Sequence, residues 1–121
     1  MALVLIVDDS PTEVHVLKKF LENAGFETDS ALDGTEGLEK ARARQPDCVL
    51  MDIVMPGMNG FQATRKLTHD PRTSSIPVIM ITTKDQETDK IWGMRQGAVE
   101  YIVKPVGQKE LVERINSVMA N

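Results

Sequence analysis

Residues 48–60 read CVLMDIVMPGMNG, an apolar run that ends at Asp52 and passes into a loop. A continuous apolar run such as Cys48 to Met51 is typical of a parallel strand that is covered on both faces. Comparable runs occupy Leu3 to Val7, Val78 to Ile81 and Tyr101 to Val103. The more polar segment from Phe26 to Ala31 predicts an edge strand. The chain therefore contains five predicted strands.

Segments of helical periodicity separate these strands. Ser10 is predicted to cap the first helix, with Glu13 completing a capping box and Gly25 ending the helix. Asp33 and Glu36 are predicted to form a second capping box. Three further helices are predicted at about residues 60–69, at about residues 84–96 and around residues 111–118. Alternating strands and helices predict an α/β fold, an open parallel sheet with helices on both faces, although the pattern leaves the strand order open.

Composition narrows the class of protein. A chain of 121 residues with 41% hydrophobic and 26% charged residues fits one globular domain, predicted to span residues 1–121. No apolar run is long enough to span a bilayer, and the start of the chain lacks the features of a signal peptide. The single cysteine, Cys48, excludes an internal disulfide, so we expect a cytoplasmic protein. A net charge of -4 argues against nucleic acid as a partner.

Polar residues follow four of the predicted strands. They are Asp8, Asp9, Asp52, Thr82 and Lys104. Each alone has an ordinary explanation, such as a helix start, a strand end or a surface charge. Together they are expected to meet at the carboxyl edge of the sheet, where three carboxylates repel one another unless a cation compensates. Carboxylate ligands favour magnesium over zinc, and a lysine and a threonine hydroxyl suit a phosphoryl group.

These residues, in this order and spacing, resemble the receiver domains of two-component response regulators, the CheY-like family. The resemblance extends over essentially the whole chain and includes residues 55–60 (MPGMNG) and Lys104-Pro105. It implies a flavodoxin-like fold in which a five-stranded parallel sheet of order 2-1-3-4-5 is covered by five helices. It also implies a cis peptide bond between Lys104 and Pro105.

The resemblance further implies a function. A histidine kinase would transfer a phosphoryl group to Asp52, and Asp8, Asp9, Asp52 and the main-chain carbonyl of Val54 would bind Mg²⁺. Lys104 would pair with the phosphoryl oxygens. A protein of this kind is a signalling switch that catalyses only its own phosphorylation and dephosphorylation. It acts by binding a downstream protein or by draining phosphoryl groups from a shared kinase.

Two residues are implied to transmit the signal. Thr82 would move towards the phosphoryl group, and Tyr101 would turn inward to fill the space that Thr82 leaves. The alternative for Tyr101 is a half-buried aromatic ring whose hydroxyl lies in water. Trp92 is interpreted as a core residue, with a partner contact as the alternative. His15 and His69 are expected on helix surfaces.

Within the family, residues 92–98 (WGMRQGA) and 104–106 (KPV) are similar to twitching-motility regulators of the type IV pilus chemosensory system. Two alternatives stay open: a chemotaxis-type regulator of another pathway, and a degenerate receiver that serves as an interaction module without phosphorylation. A phosphohydrolase of the haloacid dehalogenase type would need an acid where Val54 stands. A flavin carrier would need a Ser, Thr and Gly loop where Asp8 and Asp9 stand. Val54 and Lys84 flank the implied path of hydrolytic water, which predicts slow self-dephosphorylation.

Overall fold

A computed structural model describes residues 1–119 of the chain. Strands and helices alternate along these residues, as the sequence pattern predicts. The strands are β1 (Leu3–Val7), β2 (Glu27–Ala31), β3 (Cys48–Met51), β4 (Val78–Thr82) and β5 (Glu100–Val103). The helices are α1 (Pro11–Asn23), α2 (Gly34–Arg44), α3 (Gly60–His69), α4 (Glu87–Arg95) and α5 (Gln108–Met119). None of the helices within residues 1–119 has both the length and the apolar character needed to cross a membrane.

The strands form one parallel sheet in the order β2-β1-β3-β4-β5. This order confirms the doubly wound α/β fold expected from the resemblance. In the register between the neighbouring strands β1 and β3, Val7 pairs with Met51. Asp8 and Asp52 each follow one member of that pair, so the register brings the first and third strand ends to the same point of the sheet edge.

Apolar side chains cover both faces of the sheet. On one face, α1 and α5 contribute Leu17, Leu21, Leu111 and Ile115 to a buried cluster. On the other face, α2 and α3 contribute Leu38, Ala41, Ala63 and Leu67. Burial on both faces explains why the central strands read as continuous apolar runs rather than as alternating ones.

The start of α1 differs from the predicted capping box. The Ser10 hydroxyl accepts a hydrogen bond from the Glu13 amide at 3.3 Å, as expected. The Glu13 carboxylate does not return to the Ser10 amide, which instead donates to Asp8 at 2.9 Å. The Glu13 carboxylate lies 3.6 Å from the ammonium of Lys104. This half of the prediction was wrong because the Ser10 amide already has a partner and a charged ammonium attracts a carboxylate more strongly than a neutral amide does.

The N-terminal caps of α2 and α3 also differ from those predicted from the sequence. Asp33 accepts a hydrogen bond from the Glu36 amide at 2.8 Å, but the Glu36 carboxylate accepts from the amide of Leu32 rather than from that of Asp33. A complete capping box, which the sequence interpretation missed, lies at the start of α3. There the side chains of Asn59 and Gln62 each accept from the other residue's amide at 2.9 Å.

Helix α4 is shorter and more exposed than predicted. It begins at Glu87 rather than near Lys84, and Gln86 at its N-cap makes no side-chain capping hydrogen bond. It ends before Gly97, whose φ of 108° is a left-handed value that favours glycine. The prediction that Trp92 packs in the core was wrong, since 49% of its surface is exposed. The helix turns Gly93, rather than Trp92, towards the sheet.

Candidate functional site

Three carboxylates meet at the carboxyl edge of the sheet. Asp8 and Asp9 follow β1, and Asp52 follows the adjacent strand β3. One oxygen from each of the three lies within 4.8 Å of the others. Asp8 and Asp52 are only 1% and 7% exposed, whereas Asp9 is exposed. Negative charges this close together and this shielded from water require compensation by cations or by protons.

Lys104 provides one compensating charge. It follows β5, and its peptide bond to Pro105 is cis, as the resemblance implied. Its ammonium nitrogen lies 2.9 Å from an Asp8 oxygen and 4.0 Å from an Asp52 oxygen. Its side chain is largely buried. The ammonium is therefore held between two of the three carboxylates.

Burial and charge act in opposite directions on these groups. Burial raises the pKa of Asp52, and the neighbouring Asp8 charge adds to this, against the lowering effects of Lys104, the Ile53 amide and Thr82. Burial alone would lower the pKa of Lys104, but its hydrogen bond to Asp8 and the surrounding negative charges hold that pKa above its usual value. The site therefore favours the charged form of Lys104 and disfavours the ionised form of Asp52.

The donor set fits a hard divalent cation. Within the described part of the chain, the three aspartates form a group of carboxylates with the spacing of metal ligands and with no His or Cys in it. Oxygen ligands of this kind suit Mg²⁺. Val54 lies in the loop that follows Asp52, with its side chain 58% exposed. That its main-chain carbonyl completes the ligand set stays a prediction.

The loop between Asp52 and α3 is packed against the nucleophile candidate itself. The Ile53 amide donates to the Asp52 carboxylate at 2.8 Å, and the Gly60 amide donates to the Ile53 carbonyl at 2.9 Å. A Cβ atom at Gly60 would lie 2.0 Å from the carbonyl oxygen of Asp52. No other residue fits there without moving Asp52, so a glycine at this position is a requirement of the site.

Thr82 and Tyr101 are linked through Lys84. Thr82 is fully buried at the end of β4, and its hydroxyl oxygen accepts from the Lys84 amide at 3.3 Å. The Tyr101 hydroxyl donates to the Lys84 carbonyl at 2.8 Å, and Tyr101 is only 8% exposed. The Tyr101 ring therefore already faces inward in this structure, and the alternative in which its hydroxyl lies in water was wrong. Burial, with the charges of Asp89, Asp85 and Asp52, raises the pKa of Tyr101 to about 12.

A glycine of α4 makes room for the Tyr101 ring. A Cβ atom at Gly93 would lie 3.2 Å and 3.3 Å from two Tyr101 ring carbons and 2.6 Å from the Met80 sulfur. Met80, Ala98 and Tyr101 belong to one buried cluster. The position of the Tyr101 ring therefore depends on a glycine, which has no side chain, at residue 93.

The structure brings together the residues that the sequence singled out at the strand ends. Asp8, Asp9 and Asp52 lie within 4.8 Å of one another, and Lys104 contacts two of them. Sequence interpretation missed the approach of Glu13, which it had assigned to a helix cap. Glu13 in α1 and Lys104 after β5 meet only in the folded chain, so no local pattern reports their contact. His15 and His69 are exposed on helix surfaces, as expected.

The chain is similar in sequence to known response regulators. Residues 4–116 match the family model described as the response regulator receiver domain. The chain is 59% identical over 120 residues to the protein PilH of Pseudomonas aeruginosa, with 99% of each chain covered. It is 40% identical to the response regulator PleD of Caulobacter vibrioides, over 96% of this chain and 26% of PleD.

Solved structures of response regulators have the same fold as this chain. The chemotaxis protein CheY4 of Vibrio cholerae superposes with a TM-score of 0.92 at 33% identity, covering 98% of both chains. The response regulator domain of Thermotoga maritima CheB superposes with a TM-score of 0.89 at 33% identity, covering 100% of this chain and 98% of that one. The family match, the relatives, the sheet order and the aspartate cluster agree. The chain belongs to the family of response regulator receiver domains.

Proposed function

We propose that the chain, with residues 1–121 as one domain, is a stand-alone receiver that accepts a phosphoryl group on Asp52 from a histidine kinase. The convergence of Asp52 with Asp8, Asp9 and Lys104 at one sheet edge carries this proposal. Phosphoryl transfer to a carboxylate needs a positioned nucleophile and positive charge around the transferred group. The carboxylate of Asp52 and the ammonium of Lys104 supply one of each.

In the proposed reaction, a carboxylate oxygen of Asp52 attacks the phosphorus of a phosphohistidine. The new O–P bond forms as the P–N bond breaks, and the bonding electron pair returns to the ring nitrogen. The phosphohistidine ring carries a proton on its other nitrogen, so it leaves as neutral imidazole. Asp8, Asp9, Asp52 and the carbonyl of Val54 would hold Mg²⁺, which when bound offsets the negative charge of the carboxylates and of the phosphoryl oxygens. Lys104 pairs with a phosphoryl oxygen from its place 4.0 Å from Asp52.

The phosphorylated site changes the protein surface through Thr82 and Tyr101. When the Thr82 hydroxyl turns to a phosphoryl oxygen, its hydrogen bond from the Lys84 amide is released. The Tyr101 hydroxyl depends on the carbonyl of the same residue, at 2.8 Å. Movement of the segment around Lys84 therefore alters the partner of Tyr101, and this couples the two residues as a switch.

Similarity to PilH supports a proposed signalling context. Identity of 59% to PilH over nearly the full length supports a role in twitching-motility signalling of the type IV pilus. The protein would be a cytoplasmic signalling switch that catalyses only its own phosphorylation and dephosphorylation. Its partners would be a histidine kinase and a downstream protein, or the kinase alone if the chain drains phosphoryl groups. Nucleic acid and membrane are not among the proposed partners.

Intact mass measurement tests this function. The protein is incubated with Mg²⁺ and either acetyl phosphate, phosphoramidate or a cognate kinase, beside an Asp52→Asn variant and a magnesium-free sample. A single phosphoryl addition that is absent from both controls is the expected result. If no donor modifies the folded protein, the proposal fails and the alternative of an interaction module without phosphorylation is favoured.

The lifetime of the phosphoryl group is a second measurable property. Val54 is apolar and 58% exposed, and the Lys84 ammonium lies 3.7 Å from Asp89. Neither side chain offers an acid or an amide that could orient an attacking water. We expect dephosphorylation to take many minutes in magnesium buffer. It is measured as the loss of the phosphorylated species in the intact mass spectrum. A lifetime of seconds would contradict this reasoning.

A further inference from the structure

Glu13 is a charged residue at the site that the proposed chemistry does not use. We propose that Glu13 determines donor specificity: its charge disfavours small dianionic phosphodonors such as acyl phosphates relative to donors that carry a single net negative charge. This inference rests on the function proposed above, because it concerns which donor reaches Asp52.

The geometry places Glu13 within range of the reacting oxygen. Its carboxylate lies 3.6 Å from the Lys104 nitrogen, and an Asp52 oxygen lies 4.0 Å from the same nitrogen. The two carboxylates are therefore within about 8 Å of each other, a distance at which unit charges interact measurably even in water. The Glu13 side chain is 43% exposed, whereas those of Lys104 and Asp52 are largely buried. Its charge is thus open to solvent beside the buried part of the site.

The charge balance makes Glu13 the surplus carboxylate. A divalent cation held by Asp8, Asp9 and Asp52, together with Lys104, would neutralise those three aspartates. Glu13 is not a member of that metal-ligand group. Its negative charge is left over and acts on any donor that approaches Asp52. A dianionic donor is repelled more strongly than a monoanionic one.

Two small phosphodonors of different charge distinguish an electrostatic effect of Glu13 from a structural effect of its replacement. Near pH 7 acetyl phosphate is a dianion, whereas phosphoramidate carries one net negative charge. Glu13→Gln removes the surplus charge and keeps the shape of the side chain. At saturating Mg²⁺ we expect phosphorylation of the variant by acetyl phosphate to be roughly fourfold faster than that of the wild type, and phosphorylation by phosphoramidate roughly twofold faster. Glu39→Gln, on the exposed surface of α2, is the matched control and leaves both rates unchanged.

Cation binding gives a readout that does not depend on phosphorylation. Loss of the Glu13 charge weakens binding of Mg²⁺ alone, measured by calorimetry, by roughly fourfold, because a dication interacts with that charge as strongly as a dianion does, while Glu39→Gln leaves it unchanged. Weaker cation binding together with faster reaction is the signature of a removed negative charge and is not expected from a damaged site. High salt reduces the difference between Glu13→Gln and the wild type.

The outcomes are distinguishable from those of the proposed function. If the wild type is phosphorylated and Glu13→Gln changes the two donor rates by the same factor, or lowers them, the inference about Glu13 is overturned and the phosphorylation function stands. If the wild type accepts no phosphoryl group from any donor, both proposals fall. A larger gain with acetyl phosphate than with phosphoramidate, lost at high salt, supports the inference.

Discussion

The close contact between α4 and the Tyr101 ring predicts that Gly93→Ala destabilises the protein, although alanine is the better helix former. Replacing glycine by alanine in a helix ordinarily stabilises it by about 1 kcal/mol. Here the added Cβ would lie 2.6 Å from the sulfur of Met80, which is fully buried, and 3.2 Å from the Tyr101 ring. Overpacking of this kind costs about 1–3 kcal/mol. Because buried Met80 has little room to yield, we expect the upper part of that range and a net loss of about 1–2 kcal/mol.

Urea unfolding followed by the fluorescence of Trp92, the single tryptophan, measures this change. Thr88→Ala is the control, since Thr88 lies exposed on the same helix and its replacement improves helix propensity without a new contact. The control is expected to gain about 0.5 kcal/mol. If Gly93→Ala is as stable as the wild type or more stable, then Met80 and Tyr101 yield without cost, and the argument that residue 93 fixes the ring is refuted.

Three further predictions follow from buried ionisable groups. Burial raises the pKa of Asp52 in the folded state, so stability falls as pH rises from the unfolded pKa to the folded one. Asp52→Asn is therefore expected to unfold at a higher urea concentration than the wild type near pH 7. Addition of Mg²⁺ should reduce this difference between the two proteins. A urea midpoint of the variant that equals or lies below that of the wild type contradicts the prediction. Tyr101, the single tyrosine, should ionise at a pKa of about 12 in absorbance titrations of the folded protein, against 10.0 unfolded, so stability falls as pH rises above 10.0. Cys48 is fully buried and its thiol pKa is raised to about 12, so a thiol reagent should modify the native protein more than about a thousandfold more slowly than the unfolded one. Rapid native labelling would show that this strand is open to solvent.

Sequence was sufficient where one physical rule acts alone. The strands β1 and β3 are found at the predicted residues, because burial on both faces demands uninterrupted apolar runs. Helix α3 has the predicted bounds. The strand order came only from the family resemblance, since nothing local to the chain distinguishes one parallel neighbour from another.

Sequence failed where a long-range contact competes with a local one. Glu13 has the spacing of a capping box, but Lys104, which is 91 residues away, provides a stronger partner. Trp92 has the size of a core residue, but α4 places Gly93 against the sheet because the Tyr101 ring already occupies the space below. Both errors come from side chains on separate elements that meet only after the sheet is assembled.

The contact between Gly60 and the Asp52 carbonyl has a consequence for protein engineering. The first turn of α3 packs directly against the main chain of Asp52, so that a single added methyl group at Gly60 would displace the aspartate backbone. An aspartate grafted alone onto the end of another parallel strand would lack this packing contact, and its backbone position would not be fixed. The smallest unit to transfer is therefore the whole segment 52–60, because its glycine fixes the position of the Asp52 backbone at the end of the strand.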